Sequence, residues 1–363
     1  MKIFTRLFTT GCLILFILVS FALFSCSNPT ESEKRTEYFV YVGNGYPENK
    51  IYKIDATTDL LVDSLEITDI ATKYTCSLDG RELWAVGPEQ TLIINTADMS
   101  IKRRLSGFSY FEPLFIENSD EILCIGHERI FYLNSSDFSI AYEDSSIGFE
   151  CWPEALVDRA SHIVGGRDPR KNTWIQNRYF FYDYVNRTLV DSIELTRLDG
   201  QPAQTSVIYS SDRSVLYGVE YVPWLEWSVF DPKTGREIAK HGVECSGYFT
   251  FVNAGKEVVI ASPHDCREGW GCDALVKYNV LTYERTGEIS LFDFSDQDSV
   301  VRIASGFGDG VEVPGYNKMY ICEKSGCFPE AVYVVDVEPF HFRKSFFKTT
   351  NQYFSYIVVG RKP

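Results

Sequence analysis

The stretch Lys50–Ile67, KIYKIDATTDLLVDSLEI, decides the fold. It reads as an alternating strand ending at Asp55, a turn Ala56-Thr57-Thr58-Asp59, and a second strand through Val62. Degenerate copies recur to the C-terminus. The copy around Asp183, YFFYDYVNRTLVDSIEL, repeats the core as Val190-Asp191-Ser192. In seven copies the residue that closes the strand is Asp or Asn: Asp55, Asn95, Asn134, Asp183, Asp231, Asn279 and Asp336. Their spacings of 40, 39, 49, 48, 48 and 57 residues suit a unit of four short strands with loops of variable length.

A short carboxylate or amide at a strand end accepts hydrogen bonds from backbone N–H groups two residues on and so closes the turn. Asp231-Pro232-Lys233-Thr234-Gly235 is the plainest copy, with Pro fixing φ and Gly supplying a positive φ. The seven anchors are therefore assigned to turns at a rim, not to chemistry. Outward from the first unit, Tyr38–Asn44 precedes it as a strand. Tyr74–Ser77, the turn Leu78-Asp79-Gly80 and Glu82–Gly87 follow it before the cycle repeats.

Of the 363 residues, 45% are hydrophobic, 15% aromatic and 23% charged, enough for a large core built from Tyr, Phe, Val and Ile. The expectation is an all-β, seven-bladed β-propeller over residues 38–363, with four-stranded antiparallel blades. With strands lettered A to D from the axis outward, the chain starts on a B strand and ends on an A-like strand, Phe354–Gly360. The first blade is thus closed by the N- and C-terminal strands, leaving no open sheet edge between them.

Two segments carry a family resemblance: YTCSLDGRELWAVG (Tyr74–Gly87) followed by TLIINTADMSIKRRL (Thr91–Leu105), and GVEVPGYNKMYI (Gly310–Ile321). With Pro113 and Pro153 near the starts of A strands, they resemble the YVTN family of β-propeller repeats, which includes surface-layer and lactonase-like seven-bladed propellers. The resemblance implies a fold more than a function.

The N-terminus reads as a targeting segment. Lys2 and Arg6 precede an apolar run, Cys12–Phe24, too short for a span of about 20 residues. Leu23-Phe24-Ser25-Cys26 resembles the bacterial lipobox, which implies lipidation at Cys26 by diacylglycerol and fatty acid such as palmitate. An ordinary cleaved signal peptide or an uncleaved anchor is the alternative. The expected organisation is a signal peptide over 1–25, a solvated tether over 26–37 and the propeller over 38–363. That places the domain in the bacterial cell envelope, at the outer membrane, held to the membrane by its lipid alone. Removing Lys2 and Arg6 leaves 33 cationic against 50 acidic side chains, a balance of −17 that disfavours nucleic acid and anionic lipid as partners.

The B–C and D–A connections of a propeller share one face, where unusual loop length is informative. Those of the early blades are short, whereas Gly165–Asn177, Glu220–Trp227, Ser262–Asp273 and Glu323–Glu330 are long. They hold four of the six Trp residues, Trp174, Trp224, Trp227 and Trp270, with Arg167, Arg170 and Arg267. Exposed aromatics beside Arg are the composition of an interaction surface for a protein or carbohydrate partner. Packing of the Trp residues within their own loops is the structural alternative. Phe111, Glu112, Glu150, Trp152, Gln204, Tyr248, Asp309 and Tyr353 fall near the starts of A strands and are expected to ring the channel mouth.

Export to an oxidising compartment makes Cys266–Cys272 and Cys322–Cys327 plausible disulfides within the long loops. Cys76, Cys124, Cys151 and Cys245 read as buried small hydrophobes. A metal site at His264, Asp265, Cys266 and Cys272 lacks a second ligand pair at zinc-finger spacing. The acidic run Asp293–Asp298 lacks the Gly and distal Glu of a calcium loop, and Gly306–Gly310 precedes no helix that would make it a phosphate cradle. No cofactor, metal or catalytic residue is therefore assigned. The reading that results is a monomeric, envelope-anchored binding or scaffolding module, with a propeller hydrolase or lactonase-like enzyme at the channel mouth as the alternative.

Overall fold

The computed structural model describes residues 36–363 apart from 45–48, 69–70, 72, 109–110, 127–128, 147–155, 168–177, 204, 210–213, 223, 243–248, 254, 263–273, 291–306, 324–329 and 350–353. The described chain forms seven four-stranded antiparallel sheets, the blades of a β-propeller. The first holds β1 (Tyr38–Asn44), β2 (Lys50–Asp55) and β3 (Leu60–Glu66). The second is β4 (Lys73–Cys76), β5 (Glu82–Val86), β6 (Gln90–Asn95) and β7 (Ser100–Ser106), and the third is β8 (Phe111–Phe115), β9 (Glu121–Gly126), β10 (Ile130–Asn134) and β11 (Ile140–Asp144). Next come β12 (Leu156–Asp158), β13 (Ile163–Arg167), β14 (Arg178–Asp183) and β15 (Thr188–Glu194), then β16 (Thr205–Tyr209), β17 (Leu216–Val222), β18 (Trp224–Phe230) and β19 (Glu237–Gly242). The sixth blade is β20 (Phe249–Val252), β21 (Glu257–Ser262), β22 (Ala274–Asn279) and β23 (Arg285–Ser290), and the seventh is β24 (Phe307–Glu312), β25 (Lys318–Glu323), β26 (Glu330–Asp336) and β27 (His341–Thr349).

The last strand, β28 (Phe354–Arg361), returns to the first blade in the order β28-β1-β2-β3. It runs antiparallel to β1 from Tyr38↔Arg361 to Asn44↔Phe354, as the terminal sequences predict. A strands of neighbouring blades touch, β28 with β4 and with β24 among them, so these strands surround the axis and the ring is closed.

The C–D hairpin has one construction in most blades. The anchor carboxylate of Asp55 accepts from Thr57 N at 2.7 Å, that of Asp183 from Val185 N at 2.9 Å, and that of Asp231 from Lys233 N at 2.8 Å. Asn279 Oδ1 accepts from Leu281 N at 2.9 Å. The residue four past the anchor takes a left-handed backbone in six blades, at Asp59, Met99, Phe138, Arg187, Gly235 and Tyr283. Each of the seven C–D pairs also carries a register shift just before the anchor, such as Lys53/Ile54 and Lys277/Tyr278. The turn and its bulge together carry the chain to the rim, where β3, β7 and β15 are mostly exposed.

The core is distributed between blades. Tyr41 and Ile51 pack toward the second blade with Leu83 and Ile94, whereas Val40, Val42 and Ile54 pack toward the seventh with Tyr320 and Val334. Alternate side chains of one strand thus fill two different seams, which is why B and C strands are buried on both faces despite a period of two. Cys124 is buried between the second and third blades, as its position on an inner strand suggests, and Cys76 is partly buried beside the first.

Three seams carry a polar tie of one design. Two residues before the anchor, Lys53, Tyr132 and Lys277 reach the carbonyl that follows the next blade's anchor. Lys53 Nζ donates to Thr96 O, Tyr132 Oη to Tyr184 O at 2.7 Å, and Lys277 Nζ to Val337 O at 3.0 Å. The closing seam has a stronger clasp. Asp59, 5% exposed, pairs with Lys318 Nζ at 2.5 Å and Arg343 Nη1 at 3.1 Å and accepts from the Tyr320 hydroxyl. Burial pushes the Asp59 carboxyl up, but hydrogen bonds from Lys318 and Tyr320, with the Lys318 charge, outweigh it and hold the group below its usual value.

In the A–B turn of the second blade, Gly80 has φ 74° and lies against the C-terminal strand. A Cβ there would fall 1.7 Å from Arg361 O. Gly80→Ala is expected to lower stability by about 1–3 kcal/mol in urea denaturation, through overpacking and the left-handed backbone. Asp59→Asn, which tolerates that backbone, should cost about 3 kcal/mol or more because it leaves Lys318 buried without its counter-charge. A depressed carboxyl stabilises the fold above its unfolded value and loses that contribution as the pH falls through the folded one. The parent should therefore lose the clasp's contribution below about pH 3.8, and Asp59→Asn should lack that part of the acid sensitivity in a pH series of melting temperatures.

Candidate functional site: the B–C face and the channel mouth

The A strands run along the axis, and their first residues lie on the same face as the B–C connections. There Lys73, which opens β4, pairs with Glu112, the second residue of β8, at 2.6 Å. The two side chains are 20% and 14% exposed, and the pair bridges the second and third blades beside the channel. Glu112 thus has a counter-charge in Lys73, which the sequence does not single out. Alternation along β4 could have indicated Lys73, because Tyr74, its neighbour, turns into the seam between the first two blades.

Phe111 sits elsewhere. It is 2% exposed and packs edge-on to Trp84 and Phe131, so its ring belongs to the core between the second and third blades and not to the mouth. Asp309 lies on β24. Glu150, Trp152, Gln204, Tyr248 and Tyr353 lie outside the described residues.

On the B–C face, Arg167 is the last residue of β13, while Arg170, Trp174, Arg267 and Trp270 lie outside the described residues. Glu220–Trp227, read from sequence as a loop, is instead continuous strand apart from residue 223. β17 and β18 are seven residues each, and their pairing continues through Glu220↔Glu226 and Tyr221↔Leu225 to Val222↔Trp224. Tyr221, Val222, Trp224, Leu225 and Trp227 are of the aromatic, β-branched and aliphatic types that suit strands on both sides of residue 223. Trp224 stands at that end, and Trp227 pairs with Val219 on one side and His241 on the other.

Cys322 is buried on β25 against Val40, Val42 and Val332 and forms no disulfide, so the expected Cys322–Cys327 bridge is not made: its side chain fills the seam between the seventh and first blades. Cys327, Cys266 and Cys272 lie outside the described residues, as does Cys26. Among the described residues no group of His, Cys, Asp and Glu is arranged to hold a metal ion, and no helix is long and apolar enough to cross a membrane.

No known protein-family profile matches the chain, and no curated protein matches it in sequence. Solved structures do match in shape. Apo AztD from Citrobacter koseri aligns with a TM-score of 0.55 at 12% identity, covering 90% of this chain and 98% of that one. Dihydro-heme d1 dehydrogenase NirN aligns at 0.56 and 10% identity, covering 88% and 74%. A functionally unknown protein from Desulfotomaculum acetoxidans aligns at 0.59 and 8% identity, covering 90% and 99%. At such identities the likeness is one of fold alone, and it places this chain among β-propellers of diverse function.

Proposed function

We propose that the chain is a lipid-anchored β-propeller of the bacterial cell envelope, of the YVTN repeat type, that serves as a binding or scaffolding module. The B–C face is the working surface, and its partner is a protein or a carbohydrate. The observation that carries this reading is the fifth blade's hairpin, whose strand pairing extends to Trp224 at its tip. A Trp on a hairpin braced by backbone hydrogen bonds loses little conformational freedom on binding, which favours affinity. Long connections that bear Trp and Arg in the fourth and sixth blades flank it in sequence, with Cys266–Cys272 as a disulfide that would staple the second of them. The reading requires no cofactor.

A second reading, a propeller hydrolase or lactonase-like enzyme, is favoured by one observation: the Lys73–Glu112 pair beside the channel, where a carboxylate with a cationic neighbour could take part in acid–base work.

Replacing Trp174, Trp224 and Trp270 together with Ala should abolish capture of partner proteins or glycans by the immobilised protein while leaving the melting temperature unchanged; undiminished capture refutes the binding reading. In a lactone and ester panel with and without Ca²⁺ or Zn²⁺, turnover that Glu112→Gln removes would favour the enzyme instead. Mass spectrometry of the mature protein should find an acylated Cys26 at its N-terminus. An unmodified Cys26 there rules out the anchor.

A further inference from the structure

We propose that a cleft between the second and third blades, on the face opposite the B–C connections, binds an uncharged oligosaccharide. The cleft has a volume of about 1020 Å³, at the upper end of small-ligand sites. The A–B turns of both blades and the ends of their C strands form its walls. Asp79, Arg81 and Lys102 line it from the second blade, and Asn118, Asp120 and Ser135 from the third. Leu78, Phe115 and Ile116 add apolar surface.

At the position from which Lys53, Tyr132 and Lys277 tie their blades to the next, the second blade has Ile93, a buried residue without a donor, as the fourth, fifth and seventh blades have Phe181, Val229 and Val334. Ser135, which follows the third blade's anchor, lines the cleft in place of receiving such a tie. Several polar bonds of the lining residues run within their own wall. Ser77 Oγ donates to Asp79 at 2.7 Å and Lys102 pairs with Glu82 at 2.5 Å in the second blade; Glu121 N donates to Ser119 Oγ at 3.1 Å and Ser135 N to Asp120 O at 2.7 Å in the third. Each wall is therefore built before any ligand arrives, and two such walls face each other across the opening.

The lining chemistry selects the ligand. Carboxylate, amide and hydroxyl groups together accept and donate, as the adjacent hydroxyls of a sugar do, and the apolar residues suit its C–H faces. Charge is largely compensated on the walls: Glu82 by Lys102, Glu121 by Arg187, and Asp79 by Arg81 at 3.6 Å. An anion would meet carboxylates and a polycation would meet Arg81 and Lys102, so a neutral saccharide meets the least opposition.

The test uses the full chain in a sugar-free detergent, titrated calorimetrically with maltohexaose, cellohexaose, chitohexaose and mannohexaose, and with spermine and a heparin hexasaccharide as charged controls. At least one neutral hexasaccharide should bind. Asp120→Ala with Asn118→Gly, which keeps the left-handed backbone at residue 118, should weaken it by about tenfold or more without lowering the melting temperature. Arg81→Ala, at a side chain 77% exposed, is a second variant that cannot act through folding and should also weaken binding. The Trp224→Ala protein should bind the sugar undiminished, which separates this site from the B–C face. Failure of every neutral sugar to bind, equal binding by both cleft variants, or binding of the charged controls alone overturns the proposal.

Discussion

Closure of the ring is the constraint on which the rest of the structure depends. Each hydrophobic cluster lies between two blades, so no blade buries both faces until its two neighbours are in place. Only the closing seam brings the chain's first strands against its last. Pairing of β28 with β1 joins the ends by main-chain bonds, extended by Lys362 N donating to Glu37 O at 2.8 Å. The Asp59 clasp then fixes the seventh blade to the first with charges that find their partners only in the closed ring. Loss of the clasp would loosen the apolar seam between the seventh and first blades.

The repeating turn supplies the geometry that closure requires. An anchor side chain bonded to the backbone two residues on, a bulge before it and a left-handed residue four after it give each blade the same exit at the rim. The polar ties use that regularity, since the carbonyl after each anchor is presented at the same place on every blade. Where a donor faces it, the seam is tied. Between the second and third blades Ile93 holds the donor's position, as Phe181, Val229 and Val334 do in the fourth, fifth and seventh, and a cleft lies along the rim side of that seam.

The anchors were legible because Asp and Asn act on backbone groups two residues away, within reach of local reading. Lys53 and Lys277 were not, because a Lys in an alternating strand reads as solvent-facing and becomes a buried tie only when the next blade presents a carbonyl. Phe111 and Glu112 illustrate the same limit at the site. They are neighbours in sequence, yet one fills the core and the other pairs with Lys73 of the second blade, because successive residues of a strand turn to opposite faces. The segment Glu220–Trp227 reads as a long B–C connection in sequence, yet pairing between β17 and β18 extends almost to its tip.

Read along the chain, the residues suffice for the repeat, its count of seven, the turn at each anchor and the sharing of the first blade by the two ends. All of these rest on interactions spanning a few residues or on periodicity itself. The three-dimensional arrangement alone decides which seams are tied, how the ring is clasped at Asp59, which A-strand residue reaches the channel and where a cleft remains. Those features join residues as far apart as Asp59 and Arg343, and such pairs are selected by the packing of one blade against another, which no local pattern encodes.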